Sequence, residues 1–232
     1  MNNHRIIGID IGGTKIRAVL WDGKKVLSAR EIKTPKNLTA FKKALRKLPL
    51  HLMKGEGPGE GVIKIGIAVP GRAHGSVFVS ATNLPYIRNF NFAEFFVGAK
   101  VKVDHDARCF ARAHQNLPAE AVLFLTLGTG VGRAITRRDK ILKIKKFEYP
   151  ERWERKYQTI RNSRNDTPLA LFLAKKLNSV IKTYKIERII IGGGVARRKN
   201  FAAKLKKAFG LPVKKTKLGQ NAAAIGAAML FQ

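Results

Sequence analysis

Apolar runs of two kinds divide the chain. Residues 5–10 (RIIGID) and 16–21 (IRAVLW) have strand length and flank a glycine-rich turn, and KKVLSAREI follows the turn at Asp22-Gly23 as a third run. The three predict a meander. Phe41, Ala44, Leu45, Leu48 and Leu52 recur at helical spacing behind Asn37, a fitting cap, so a helix is predicted from there to about His51. KGEGPGEG is an expected exposed loop. VIKIGIAV at 62–69 reads as a buried strand, followed by PGRAHG, a short extended stretch GSVFVSA and a loop carrying Asn83. VKVDHDARCFARAHQ then reads as a strand that turns into a helix near His105.

LPAE at 117–120 marks a hinge, and the pattern beyond it repeats in outline. AVLFLTLGTGVGRAITRRDKIL again gives strand, glycine turn, strand, turn and strand. At an offset of 116, Gly12 falls on Gly128, Arg17 on Arg133, Ala18 on Ala134 and Lys24 on Lys140, with Val19 opposite Ile135. A helix over about 167–184, the strand RIIIG, a turn at 192–194, a helix to about Phe209, a short strand LPV and a final small-residue helix, QNAAAIGAAMLF, complete the reading. The expected architecture is a duplicated α/β unit with a cleft between halves: 1–117, 118–219, and a terminal helix over 220–232.

The turns carry the first chemistry. DIGGTK places Asp10 at a strand end ahead of Gly12, Gly13, Thr14 and Lys15, where bare backbone can approach an anion and N–H groups can converge on phosphate oxygens. A Gly-Gly turn between strands is also an ordinary hairpin. Gly128, Thr129, Gly130 and Gly132 form a second such turn, and Gly193 and Gly194 belong to a third that leads from a strand into a helix, whose N-terminus favours anions. A bound nucleotide accounts for all three at once.

Charge alters the list of partners. The 46 Lys and Arg against 15 Asp and Glu give a net +31, which draws polyanions: nucleotide, polyphosphate or nucleic acid. The basic residues are scattered and no nucleic-acid motif accompanies them. The single cysteine, Cys109, excludes an intrachain disulfide and a multi-thiolate site. No apolar stretch has the length of a signal peptide core or a membrane span, so a soluble, cytoplasmic protein is expected.

Phosphoryl transfer to a hydroxyl needs a carboxylate at the acceptor and an acid that places magnesium near the phosphates. Asp10, Asp104 and Asp106 lie at strand ends near glycine turns or a strand-to-helix junction. Asp104 reads as more structural than catalytic, and the alternative to a catalytic Asp106 is a first-turn or capping acid of a helix.

GIDIGGTK (8–15), GIAVPG (66–71), ATNLP (81–85), VDHDA (103–107), LTLGTGVG (125–132) and IIGGGV (190–195), in that order, resemble the ROK family of sugar kinases and repressors. The resemblance implies an actin-like ATPase (ribonuclease H-like) fold, with two duplicated lobes around a nucleotide cleft and a C-terminal helix packing back on the first. It implies ATP and magnesium, with phosphates on the 12–15 and 128–132 turns, adenosine near Gly193 and Gly194, and Asp10 placing magnesium through water. It makes Asp106 the catalytic base and Gly71, Asn83 and His105 part of the sugar pocket, for a hexose or N-acetylhexosamine. A homodimer stays open. The family's repressors carry a DNA-reading segment ahead of the first motif; here that motif begins at Gly8, so a repressor is not expected.

Three departures stand out. His105 replaces the family's Asn, and Arg133 replaces a small residue, to reach a phosphate or point to solvent. The sugar-binding histidine segment and the zinc loop are missing, since all five histidines occur by residue 114; no zinc is expected. Residues 137–166 stand in their place. There Glu148 is either a substitute sugar ligand or a surface salt-bridge partner, and Tyr149, Trp153 and Tyr157 either stack on a ligand or anchor a shortened lobe. A catalytically weakened nucleotide or sugar sensor is the alternative function, and a nucleic-acid-associated protein a further one.

Overall fold

The computed structural model describes residues 5–52, 62–114, 117, 119–144 and 147–232; the expected 54–61 loop and Pro118, the expected start of the second half, lie outside the described residues. The chain divides into two compact units, Met1–Ala113 with Asn221–Gln232, and His114–Gln220.

In the first unit β1 (Ile6–Ile11), β2 (Lys15–Trp21) and β3 (Val26–Lys33) form the meander, followed by α1 (Leu38–Leu52), β4 (Lys64–Val69), the small sheet of β5 (Arg72–His74), β6 (Val77–Ser80) and β7 (Phe90–Asn91), then α2 (Phe92–Phe95), β8 (Lys100–His105) and α3 (Asp106–Arg112). The large sheet runs β3-β2-β1-β4-β8, with β1–β3 antiparallel and β4 and β8 parallel to β1. Strand periodicity explains its two faces. Ile7, Ile9 and Ile11 point to one side and bury against Phe41, Leu45, Leu48 and Leu52 of α1, whose first turn is capped where Asn37 Oδ1 accepts the Ala40 N–H at 2.9 Å. Gly8 and Asp10 point to the other.

That second face receives the C-terminal helix. A Cβ on Gly8 would lie 1.9 Å from the Ala224 carbonyl oxygen, and one on Gly66 1.8 Å from that of Ala227. Glycine in two central strands therefore lets a small-residue helix lie on the backbone of the sheet.

The second unit carries β9 (Ala121–Leu127), β10 (Val131–Arg137), β11 (Lys140–Ile141), α4 (Glu154–Asn162), α5 (Asp166–Tyr184), β12 (Arg188–Gly192), α6 (Phe201–Phe209) and β13 (Val213–Lys215); the helix lying on the first sheet is α7 (Ala222–Ala228). The order β11-β10-β9-β12-β13 repeats that of the first sheet, again with three antiparallel strands followed by two parallel ones. Leu123, Leu125, Leu127, Val131 and Ile135 bury with Tyr157, Leu169, Leu173, Phe201 and Leu205.

The expected 62–69 strand starts only at Lys64, leaving Val62 and Ile63 exposed. The glycines at 192–194 do not open an α-helix. They lead into a single 3-10 turn, Val195–Arg197, and α6 begins at Phe201, so no α-helix N-terminus stands at those glycines. Among the described residues no helix is long and apolar enough to cross a membrane.

Candidate active site

Asp10 occupies the last-but-one position of β1 on the α7 side of the sheet, in a cross-strand row with Arg17 and Glu31. Burial pushes its carboxyl up to about 7, Asp106 adds to the rise and Arg17 opposes it. The opposition is weak because Arg17 is shared: one guanidinium nitrogen donates to Asn221 Oδ1 at 2.9 Å and another pairs with Glu31. Lys15 pairs with Glu31 as well, and its hydrogen bond, then that of Arg17, hold the Glu31 carboxyl below its ordinary range. Lys15, expected at a phosphate, thus rests on the neighbouring strand.

Asp106 opens α3. Its Oδ1 accepts the Ala107 N–H at 2.6 Å and lies 3.1 Å from His105 Nδ1, while the buried His105 caps the same amide at 3.3 Å. Asp106 keeps over a quarter of its side chain exposed, and its charge reaches Asp10 strongly enough to raise it. Asp104 accepts from Arg108 Nε at 2.6 Å and Arg112 at 3.0 Å, which occupies it structurally.

The 12–15 turn closes with the Gly12 N–H donating to the Lys15 carbonyl at 2.9 Å, and Thr34 donates its hydroxyl to the Gly12 carbonyl at 2.7 Å and its N–H to that of Thr14 at 3.0 Å. Among the described residues the N–H groups of Gly13 and Thr14 make no hydrogen bond, so two adjacent donors are left for an anion. A Cβ on Gly13 would come within 2.7 Å of Asn83 Nδ2, which brings Asn83 against this turn. Gly71 has φ +79° and starts the small hairpin, where a Cβ would strike the Ser80 carbonyl oxygen at 2.6 Å.

In the second unit the Gly128 N–H donates to the Gly130 carbonyl at 3.0 Å. Three side chains of α4 hold the turn. Tyr157 and Arg161 donate to the Gly128 carbonyl at 3.0 and 2.8 Å, and Glu154 Oε2 accepts the Val131 N–H at 3.1 Å. Thr129 lies exposed at the tip, whereas Gly132 sits within β10 opposite Thr126. Gly193, at φ +87°, passes so close to β9 that a Cβ would meet the Leu127 carbonyl oxygen at 2.5 Å, and Gly194 begins the 3-10 turn.

Arg133 reaches neither phosphate nor solvent. It is 1% exposed, pairs with Glu151, donates to the Tyr149 carbonyl at 2.6 Å and lies 5.3 Å from the rings of both Phe147 and Trp153. Its strand turns it toward the core, and the 147–154 segment wraps it. Glu148 is buried too, rather than a surface residue. Tyr157 is fully buried, its phenol pushed up by burial, and Trp153 packs edge-on to Phe172 at 6.0 Å. These aromatics anchor the segment.

Of these holders the sequence reading names only Tyr157, as a stacking or anchoring aromatic, although Glu154, Tyr157 and Arg161 at i, i+3 and i+7 carry the signal of one helix face. Thr34 carried none. Among the described residues no three or more His, Cys, Asp or Glu gather as a metal-holding group. Asp10 is a carboxyl suited to magnesium, which takes one or two carboxylates alongside phosphates: it is half-buried, raised by a second acid and only partly compensated.

Residues 6–143 match the sequence model of the ROK family. The chain belongs to the ROK family. No curated protein matches it. Among solved structures the ROK chain is similar to an inorganic polyphosphate/ATP-glucomannokinase from Arthrobacter sp. strain KM, at 25% identity and a TM-score of 0.79, with 98% of each chain covered. It is similar to a ROK family glucokinase from Streptomyces griseus in complex with glucose and AMPPNP, at 20% identity and 0.79, over 97% of this chain and 98% of that one. A ROK family transcriptional regulator, a homologue of the E. coli MLC protein, also matches, at 14% and 0.72, over 99% of this chain and 78% of that one. The fold is the actin-like ATPase fold of ROK sugar kinases, on which the family also builds regulators.

Proposed function

We propose that the chain transfers the γ-phosphoryl group of ATP to a hydroxyl of a hexose or N-acetylhexosamine. The observation that carries this reading is the pair Asp10 and Asp106, electrostatically coupled in the unit whose 12–15 turn leaves two N–H donors free and holds Asn83 against Gly13. Asp106, over a quarter exposed, takes the proton as the sugar oxygen bonds to phosphorus and the bond to ADP breaks. Asp10 would hold the magnesium ion. Bound there, the ion would supply neutralisation of the phosphate oxygens. The free N–H groups of Gly13 and Thr14 bind phosphate, with Gly12 and Lys15 closing their turn, as do those of Thr129 and Gly130 in the turn that Gly128 closes; Gly193 and Gly194 serve adenosine, and Gly71, Asn83 and His105 the sugar.

A coupled ADP-release assay with MgATP against glucose, mannose, N-acetylglucosamine and N-acetylmannosamine tests this, with wild type and Asp106→Asn side by side. The variant is expected to lose at least about a hundredfold in turnover and to keep its nucleotide affinity. Sugar-dependent release that survives in the variant removes Asp106 as the base. Replacing ATP by polyphosphate tests the donor that the net charge of +31 suggests.

The second reading is a sensor that binds ligand without turnover. It is favoured by the lack of any histidine beyond His114 and by the burial of Arg133 in the segment that stands in for the missing sugar-binding loop. ATP binding with no release on any of the four sugars moves it to first place.

A further inference from the structure

In both glycine turns of the duplicated sheets the first carbonyl is anchored by side-chain donors. In the first unit the Gly12 carbonyl accepts from the Thr34 hydroxyl at 2.7 Å. In the second the Gly128 carbonyl, at the corresponding strand end, accepts from Tyr157 at 3.0 Å and Arg161 at 2.8 Å. Unrelated residues on unrelated elements thus hold the same group.

The physical consequence follows from the planar trans peptide, whose C=O and N–H point in opposite directions. Fixing the Gly128 carbonyl toward α4 aims the Thr129 N–H away from α4. Glu154 removes the Val131 N–H from availability at 3.1 Å, and the Gly130 carbonyl is taken by the Gly128 N–H at 3.0 Å. Among the described residues, only the N–H groups of Thr129 and Gly130 in this turn are left without a hydrogen bond, two adjacent donors open to an anion. Arg161 is itself held, because Arg198 Nη2 donates to its carbonyl at 2.9 Å and Arg198 Nη1 pairs with Asp166 at 2.7 Å.

We propose that α4 is a brace for nucleotide binding, in which Tyr157, Arg161 and Glu154 are positioning residues that preset the 128–131 backbone to present the Thr129 and Gly130 amides to a phosphate. This rests on the nucleotide-binding reading above. The segment that replaces the family's sugar-binding loop has thereby taken on a different task, at the phosphate side of the reaction. None of the three side chains needs to touch the ligand, since each acts through the main chain.

The test uses the full chain with Tyr157→Phe, Arg161→Met, the double variant and Arg161→Lys, which restores a donor. AMPPNP affinity is measured by titration calorimetry, apparent KM for MgATP and for sugar by the coupled assay, and stability by urea denaturation. The double variant is expected to bind AMPPNP about tenfold more weakly and to raise the KM for MgATP by the same factor, with sugar KM within twofold of wild type. Arg161→Lys recovers most of the affinity. Unchanged AMPPNP affinity in the double variant overturns the brace, as does an equal rise in both KM values, which marks a general loss of structure. Wild type that binds AMPPNP not at all overturns the nucleotide reading itself, and the brace with it.

Discussion

Replacing Asp10 by Asn separates what the acid costs the fold from what it does. Its carboxyl stands at about 7 against an ordinary 3.8, because burial and the neighbouring Asp106 disfavour the charge more than Arg17 favours it. The folded state therefore holds a proton over a range in which the unfolded state has released it, and stability falls as pH rises from about 4 to 7. Each pH unit between the two values is worth about 1.4 kcal/mol, so the raised carboxyl costs the folded state about 4 kcal/mol at pH 8 and about 2 kcal/mol at pH 5. A neutral isostere carries neither cost. Asp10→Asn is thus expected to be the more stable protein, by a margin that widens by about 2 kcal/mol between pH 5 and pH 8. Urea denaturation of both proteins at the two pH values, in EDTA, reads the difference directly, and the titrating groups that are not coupled to Asp10 cancel between them. Phosphoryl transfer should fall by orders of magnitude in the same variant. A margin that does not change with pH, or a wild type that is the more stable at pH 8, refutes the argument.

Two further outcomes follow from packing. Gly226→Ala places a Cβ 1.7 Å from the Cys109 carbonyl oxygen, a backbone atom that cannot step aside, and should cost about 3 kcal/mol or more in urea denaturation. Arg133→Met keeps the bulk between the Phe147 and Trp153 rings but strips Glu151 and Glu154 of their cation; a loss of about 3 kcal/mol is expected at pH 7, and a stability equal to wild type would show that the aromatic packing alone holds the segment.

The strands were legible because burial is periodic. Ile7, Ile9 and Ile11 alternate with Gly8 and Asp10, so one glance at 6–11 gives the strand, its core face and the position of the acid on the other face. The helix behind Asn37 followed from its spacing, and the 100–112 strand-to-helix junction from the change of period at His105. The ion pairs were not legible. Lys15 and Glu31 meet because β2 and β3 pair in one register, and Arg17 meets Asn221 because the chain returns over the sheet after more than two hundred residues. Neither distance is written in local sequence. The 3-10 turn after Gly194 was missed because a glycine turn ahead of Val-Ala-Arg does not specify how tightly the next turn winds.

Arg133 shows how one residue of turn length governs a side chain's fate. The repeat aligns Gly12 with Gly128 at an offset of 116, and the first strands obey it, since Ile11 and Leu127 both end on the core face. The hairpins then differ. Ile11 pairs with Ile16 across four intervening residues, whereas Leu127 pairs with Val131 across three. Beyond the turn the structural correspondence is Ile16 with Val131, an offset of 115, and a shift of one residue turns every side chain to the opposite face. Arg17 therefore corresponds in space to Gly132, and Arg133 to Ala18, a core position. The sequence identity of Arg17 and Arg133 is a coincidence of register: the first lies beside Asp10 at the acid site, and the second, between Val131 and Ile135, points into the core. A guanidinium there requires partners, and the 147–154 segment supplies them as Glu151, the Tyr149 carbonyl and two rings. The loss of one residue from a phosphate-type turn is thus coupled to the segment that follows it, because the arginine it buries can only be accommodated by a chain that folds back over the sheet, and that same chain delivers Tyr157 and Arg161 to Gly128.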